Sequence, residues 1–196
     1  MFQLKDGNSV VLATESQRRI DMLRTLGISF VIVPPHIDEA RKKKESPKQY
    51  VLRMAVEKAS KVGGLFPDKW VIGVDTVVCL QGRIFGKPED EEDAVHMLQA
   101  LRGRWHRVLS GFCILNMERG IQYKDIVQTE VFIKDLTDSE IIRYVKTQEP
   151  FGKAGSYALQ GRGSYMVKKI RGSYANVIGL PICEIAEAFL SLGIVS

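Results

Sequence analysis

The chain has only three cysteines in 196 residues, no long apolar run and no low-complexity tract. Cys79, Cys113 and Cys183 are far apart, odd in number and embedded in apolar sequence. That pattern argues against a disulfide framework and against a zinc site, and predicts reduced core thiols. His36, His96 and His106 lack zinc-motif spacing and define no Ser-His-Asp arrangement. No stretch approaches the roughly 20 apolar residues of a membrane-spanning helix. The residues after Met1 include no basic region leading into an apolar one, so the expectation is a cytoplasmic chain, neither exported nor inserted. With no repeat and no flexible linker, residues 1–196 are expected to form one domain.

Charge narrows the partners less than it first suggests. The formal net charge of +5 favours polyanions, but it does not separate nucleic acid, acidic protein and a triphosphate. The densest basic cluster, Arg41 to Lys44, has no interleaved aromatics or glycines. It reads as a solvated loop and argues against a nucleic-acid surface.

The pattern of apolar residues predicts a mixed α/β class. Ser9 to Thr14 reads as a buried strand, and Ser16 opens a helix with Ile20, Leu23 and Leu26 at helical spacing until Gly27. A strand at Ile28 to Val33 and an amphipathic helix from Pro47 to Val62 follow. Trp70 to Leu80, rich in valine and isoleucine, reads as a central strand, and Glu89 to Leu101 as a helix with an acidic start. Arg104 to Leu115 and Ile121 to Lys134 read as a hairpin around Met117 to Gly120. Asp138 to Thr147 is expected to be helical, Tyr157 to Gln160 and Tyr165 to Ile170 short strands, and Pro181 to Leu192 the closing helix.

Several residues break these local patterns. Arg18 and Arg19 stand in the first turn of a helix, where the dipole disfavours cations. A phosphate held by backbone N–H groups and two guanidiniums would resolve the conflict, as would outward bending or pairing with Asp21. Thr14 and Ser16 flank that turn and suit either capping or an anion cradle. Lys58 falls on the apolar face of its helix and must either snorkel or meet an anion. Asp75 lies within Val-Ile-Gly-Val-Asp-Thr-Val-Val, where a carboxylate is costly unless paired or metal-bound. A structural ion pair with a lysine and a role as metal ligand or general base both satisfy it, with Thr76 placed to orient it. Glu39 could complete a carboxylate pair suited to Mg²⁺ or Mn²⁺. Lys87, in Gly86-Lys87-Pro88, has the look of a turn lysine whose glycine permits close approach to a ligand.

Taken in order, these segments resemble the Maf family: Leu12-Ala13-Thr14-Glu15-Ser16-Gln17-Arg18-Arg19, Ala55-Val56-Glu57-Lys58-Ala59, Gly73-Val74-Asp75-Thr76 and Gly86-Lys87-Pro88. The likeness continues through His106 to Gly111, Ala154 to Gly161 and Asn176 to Pro181, and so covers nearly the whole chain. It implies an elongated mixed sheet with flanking helices, similar to inosine-triphosphate pyrophosphatases, with two lobes around a cleft and a homodimer. It also implies cleavage of a nucleoside triphosphate to the monophosphate and pyrophosphate with a divalent cation. Asp75 would then be the proton acceptor, Glu39 and Asp75 the metal carboxylates, and Arg18, Arg19, Lys58 and Lys87 the phosphate binders. Arg18, Thr76 and Gln160 match positions tied to substrate choice, and Tyr157 to Gly161 resembles the branch acting on dTTP and UTP. An amide such as Gln160 can donate to a pyrimidine carbonyl while accepting from the ring N–H.

The chain departs from that family's pattern at Thr14 and Ser110, which exchange hydroxyl residues, at Gln17 in place of proline, and at Gly152 in place of a common aspartate. The last is expected to weaken metal binding or move its loop. Two other functions stay open to the residues alone. A non-catalytic nucleotide-sensing regulator of cell division would use the same pocket without releasing pyrophosphate. A nucleic-acid-binding module would show steep salt dependence.

Overall fold

The computed structural model describes all residues, 1–196. The elements run β1 (Val10–Ala13), α1 (Gln17–Arg24), β2 (Val31–Ile32), α2 (Pro47–Gly63), β3 (Trp70–Leu80), β4 (Arg83–Phe85) and α3 (Glu91–Leu101). They continue with β5 (Trp105–Asn116), β6 (Ile121–Ile133), α4 (Asp138–Val145), β7 (Val167–Arg171), α5 (Tyr174–Ile178) and α6 (Ile182–Ser191). The strands form one seven-stranded sheet ordered β2-β1-β3-β5-β6-β7, with β4 paired to β3. This is the expected mixed α/β sheet with flanking helices.

The chain divides into two compact units, and each has its own core. The first comprises residues 1–75, 110–127 and 179–196; the second comprises 76–109 and 128–178. In the first unit β1 runs parallel to both β2 and β3, with Leu12 opposite Ile72 and Ala13 opposite Gly73. Because side chains alternate across a strand, Trp70, Ile72 and Val74 enter one core with Phe112, Ile114 and Phe189. Val71 enters another with Val11, Ala55, Ala59 and Cys113. Residues 71, 73 and 75 therefore share the face that α2 covers.

Two glycines bring α2 against that face. A Cβ on Gly73 would lie 2.1 Å from the Ala55 carbonyl oxygen and 2.6 Å from the Ala59 nitrogen. One on Gly111 would lie 2.5 Å from the Val51 carbonyl oxygen. No side chain fits at either place, so the helix backbone rests on the strands.

The second unit is built around Phe85, Leu98, Leu101, Ile133, Ile141 and Tyr144. There β3 turns into β4 through Gln81 and Gly82, both with positive φ, as a two-residue hairpin requires. The N-terminus of each of α4 and α3 is chemically marked: Thr137 forms a capping box with Glu140, and the Asp90 side chain accepts from the Asp93 N–H.

Several expected boundaries change. The strand expected at Ile28 to Val33 shrinks to Val31–Ile32, an exposed edge pair. Tyr157 to Gln160 is not a strand. Gly155 and Ser156 both take left-handed conformations, with φ of 70° and 60°, and turn the chain away from a sheet path. The strand expected from Tyr165 starts at Val167, because Arg162–Met166 forms a 3-10 turn. The short elements β4 and α5 had no periodicity long enough to read. Cys79 and Cys113 are buried free thiols as expected, but Cys183 is exposed. Its apolar neighbours Ile182 and Ile185 belong to helical spacing, which turns position 183 to solvent.

Candidate active site

The two periodicities of the first unit meet at one point. Asp75 follows Val71 and Gly73 on the α2-facing side of β3, and Lys58 lies on the face of α2 that buries Val51, Met54 and Ala55. Lys58 Nζ donates to Asp75 Oδ1 at 2.7 Å and stands 2.7 Å from Glu39 Oε1. Lys58 and Asp75 are almost fully buried, whereas the Glu39 side chain is 46% exposed. Lys58 therefore does not snorkel; its ammonium is held inside by two carboxylates. For Asp75, the ion pair with a lysine is present, and the same pair sets a second carboxylate beside it.

The loop carrying Glu39 is held by α2. Tyr50 Oη donates to the Glu39 carbonyl at 2.9 Å, and Arg53 Nη2 donates to the Ala40 carbonyl at 3.0 Å. Arg53 also pairs with Glu45 through Nε, at 2.6 Å, and with Glu57. Hydrogen bonding to Arg53 lowers the Glu45 pKa to about 2, and the same contact raises that of Arg53. Burial, then the charges of Asp75 and Glu39, push Tyr50 up to about 12. Tyr50 and Arg53 were not foreseen. The signal for them is weak, because an aromatic and an arginine on a half-exposed helix face are ordinary.

Arg18 and Arg19 are half-buried at the start of α1. Arg19 Nε donates to the Gly179 carbonyl at 2.8 Å, so it neither bends outward nor pairs with Asp21. Asp21 instead accepts from Arg24 and Gln17. Burial lowers both arginine pKa values; for Arg19, Asp75 and Glu39 oppose that shift while Arg18 adds to it. Arg19 thus stands in the field of the carboxylate pair and remains a cation, as guanidinium does throughout this range. Gly179, whose carbonyl takes that hydrogen bond, lies in the Asn176 to Pro181 segment, and no local pattern marks it for this role.

The start of α1 is chemically open. Thr14 Oγ1 accepts from the Ser16 N–H at 3.2 Å, whereas the Ser16 side chain caps nothing and no acid stands in the first turn. By contrast, Ser46 on α2 and Thr137 on α4 form capping boxes. The free N–H groups and dipole of such a start favour an anion.

In the second unit, Lys87 is exposed next to Gly86, whose carbonyl accepts the Gly155 N–H at 3.0 Å. Gln160 is exposed at the tip of the loop after Tyr157, and Thr76 is half-buried on β3. Gly152 has φ of +73° and open space around it, so glycine suits that backbone better than the family's common aspartate.

No group of three His, Cys, Asp or Glu residues is arranged to hold a metal. Asp75 and Glu39 nevertheless converge within one ammonium's reach. A hard cation that keeps waters and takes phosphate oxygens needs only one or two such carboxylates, so the donor set fits Mg²⁺ or Mn²⁺.

A carboxylate on the sheet, a second on a pinned loop, a buried ammonium between them and a helix start without a cap of its own make up a site of the kind that suits a phosphorylated ligand in an α/β protein. The chain belongs to the Maf family: the family model described as Maf-like protein matches residues 9–192. It is 43% identical over 193 residues to the dTTP/UTP pyrophosphatase of Geotalea uraniireducens (strain Rf4), covering 98% of each chain. It is 41% identical over 184 residues to that of Syntrophus aciditrophicus (strain SB), covering 94% of this chain and 90% of the other. A HAM1 protein from Coxiella burnetii aligns over 64% of this chain and 73% of its own, with TM-score 0.42 and 18% identity. No helix is long and apolar enough to cross a membrane.

Proposed function

We propose that this chain hydrolyses dTTP- and UTP-like nucleoside triphosphates to the monophosphate and pyrophosphate. The observation that carries the reading is the pair of 2.7 Å contacts joining Asp75 and Glu39 through Lys58. The relatives are named dTTP/UTP pyrophosphatase, which supports the same reading.

In this mechanism the open start of α1, with Thr14, Ser16, Arg18 and Arg19, receives phosphate oxygens. Lys58 has three N–H donors, two of them directed to carboxylates, and turns the third to a phosphate oxygen. Lys87 adds a further cation. Asp75 takes the proton of the water that attacks the α phosphorus; the new bond is P–O, and the bond to the bridging oxygen breaks as pyrophosphate leaves. The arginines and lysines stabilise the charge that moves onto that leaving group. A divalent ion held by Asp75 and Glu39 would lower the pKa of a water and neutralise phosphate charge. Thr76, next to Asp75 on β3, and the Gln160 amide take part in substrate choice.

We extend the reading to a single functional domain acting as a homodimer in the cytoplasm. The exposed free thiol of Cys183 supports a reducing compartment. The dimer rests on the family resemblance.

The test is pyrophosphate release from dTTP and UTP with Mg²⁺ or Mn²⁺, for the wild type and Asp75→Asn. Asp75→Asn should fold and lose turnover by about 10²- to 10⁴-fold; release near the wild-type rate removes Asp75 as the base. Binding of dTTP by the wild type with no pyrophosphate release would instead identify a nucleotide sensor.

A further inference from the structure

Gln160 sits in a loop whose neck is closed by two side chains from elsewhere in the second unit. On one side, the Ala158 N–H donates to Tyr144 Oη at 3.1 Å. On the other, the Arg162 N–H donates to Glu149 Oε1 at 2.8 Å and the Gly163 N–H to Glu149 Oε2 at 2.7 Å. After burial, the nearby Glu149 carboxylate is the next influence raising the Tyr144 pKa, so the two side chains stand in one field. The backbone on either side of Gln160 is therefore anchored, by Tyr144 before it and by Glu149 after it. Tyr144 is buried at 3% exposure and anchored in the core with Leu98 and Ile141, so the clamp is fixed to packed structure.

The glycines flanking Arg162 make this closure possible. A Cβ on Gly161 would lie 2.2 Å from Glu149 Oε1; one on Gly163 would lie 2.6 Å from both the Ala158 carbonyl and Tyr144 Oη. Gly161 also has φ of +95°, a conformation that side chains resist. The backbone comes close enough to be held only because both positions lack a side chain.

We propose that Tyr144 and Glu149 are positioning residues that lock the Gln160 loop and thereby set nucleobase selectivity. The proposal rests on the reading of Gln160 as the base contact. Uracil and thymine present a carbonyl acceptor beside a ring N–H donor, and cytosine presents the reverse. An amide carries both donor and acceptor, so it discriminates only when its orientation and distance are fixed. A loop free to shift would let the same amide meet either pattern. The carboxylate is suited to the task because both of its oxygens accept; a glutamine there would turn an NH₂ toward a backbone N–H.

The experiment compares wild type, Glu149→Gln and Tyr144→Phe, each a near-isosteric change. It measures kcat and KM for dTTP and for CTP, and hydrogen exchange at the amides of residues 158–163. In both variants the exchange should quicken and the dTTP-over-CTP preference in kcat/KM should fall about tenfold. The fall should come through KM for dTTP, with kcat held within a few-fold. A general structural injury would lower kcat for both nucleotides together and leave their ratio unchanged, which overturns the proposal. So does quickened exchange with intact preference, or exchange that does not change. The wild type and Gln160→Ala separate this from the underlying reading. A wild type that releases no pyrophosphate refutes the proposed function, and a Gln160→Ala chain with full preference refutes the base contact itself.

Discussion

The two units differ in the polar groups they bury. The first buries a charged pair beside neutral Thr14, Ser110 and Asn116, and rigid elements bring the opposite signs together: Lys58 from α2 and Asp75 from β3, with half-exposed Glu39 reaching the same ammonium from a pinned loop. In the second the buried polar groups are mostly neutral. His106 Nε2 lies 2.8 Å from Tyr157 Oη in the interior, and its Nδ1 has no partner. Asn176 bonds the Val108 carbonyl and Thr129. A buried charge is tolerable only when its partner is fixed by packing, whereas a neutral group needs one or two well-aimed hydrogen bonds. Under the proposed function the first arrangement keeps charge ready for a phosphate, and the second serves as a scaffold for the Gln160 loop.

The sharpest way to break this contrast is Lys58→Met. It leaves Asp75 buried without its cation, and stability measured by urea unfolding should fall by about 3 to 5 kcal/mol. Replacing Asp75 by asparagine in the same chain should restore part of that loss. If the single change costs nothing, the first unit is not held by matched charge.

Next comes acid. Burial lowers the His106 pKa from 6.5 to about 4, so between those values the unfolded chain binds a proton that the folded chain refuses. Stability is therefore full above about pH 6.5 and declines as pH falls toward 4, by about 3 kcal/mol in all at 1.36 kcal/mol per pH unit. Thermal unfolding across that range should show the slope in the wild type and a flatter one in His106→Gln. Equal slopes would show that the imidazole is not kept neutral by burial.

Tyr50→Phe should have the smallest effect. It removes the hydroxyl that holds the Glu39 carbonyl, for about 1 kcal/mol in stability. Under the proposed function it should raise the metal concentration needed for half-maximal pyrophosphate release several-fold. An unchanged metal requirement would mean that Arg53 alone fixes the loop.

Much of the candidate site could be read in the chain because its residues violate local rules. A carboxylate in an apolar strand, a lysine on an apolar helix face and arginines at a helix start each conflict with their setting, so Asp75, Lys58, Arg18 and Arg19 stood out. Tyr50, Arg53, Tyr144 and Glu149 conflict with nothing around them, and their work lies in bonds to backbone distant in sequence. The stretch from Tyr157 to Gln160 misled because its apolar residues look strand-like, while the left-handed turn at Gly155 and Ser156 overrides them.

The sequence by itself determined which face of each element turns inward, since strand alternation of two and helical repetition of 3.6 are written in the order of residues. It thereby put Asp75 on the face of Gly73 and Lys58 on the face of Ala55. Which helix turn lies over which strand residue was decided only by tertiary packing. There the Gly73 and Gly111 seats let α2 come down on the sheet, and one ammonium reached two carboxylates. Pairing between distant elements depends on shape and close approach, which periodicity along a single chain does not encode.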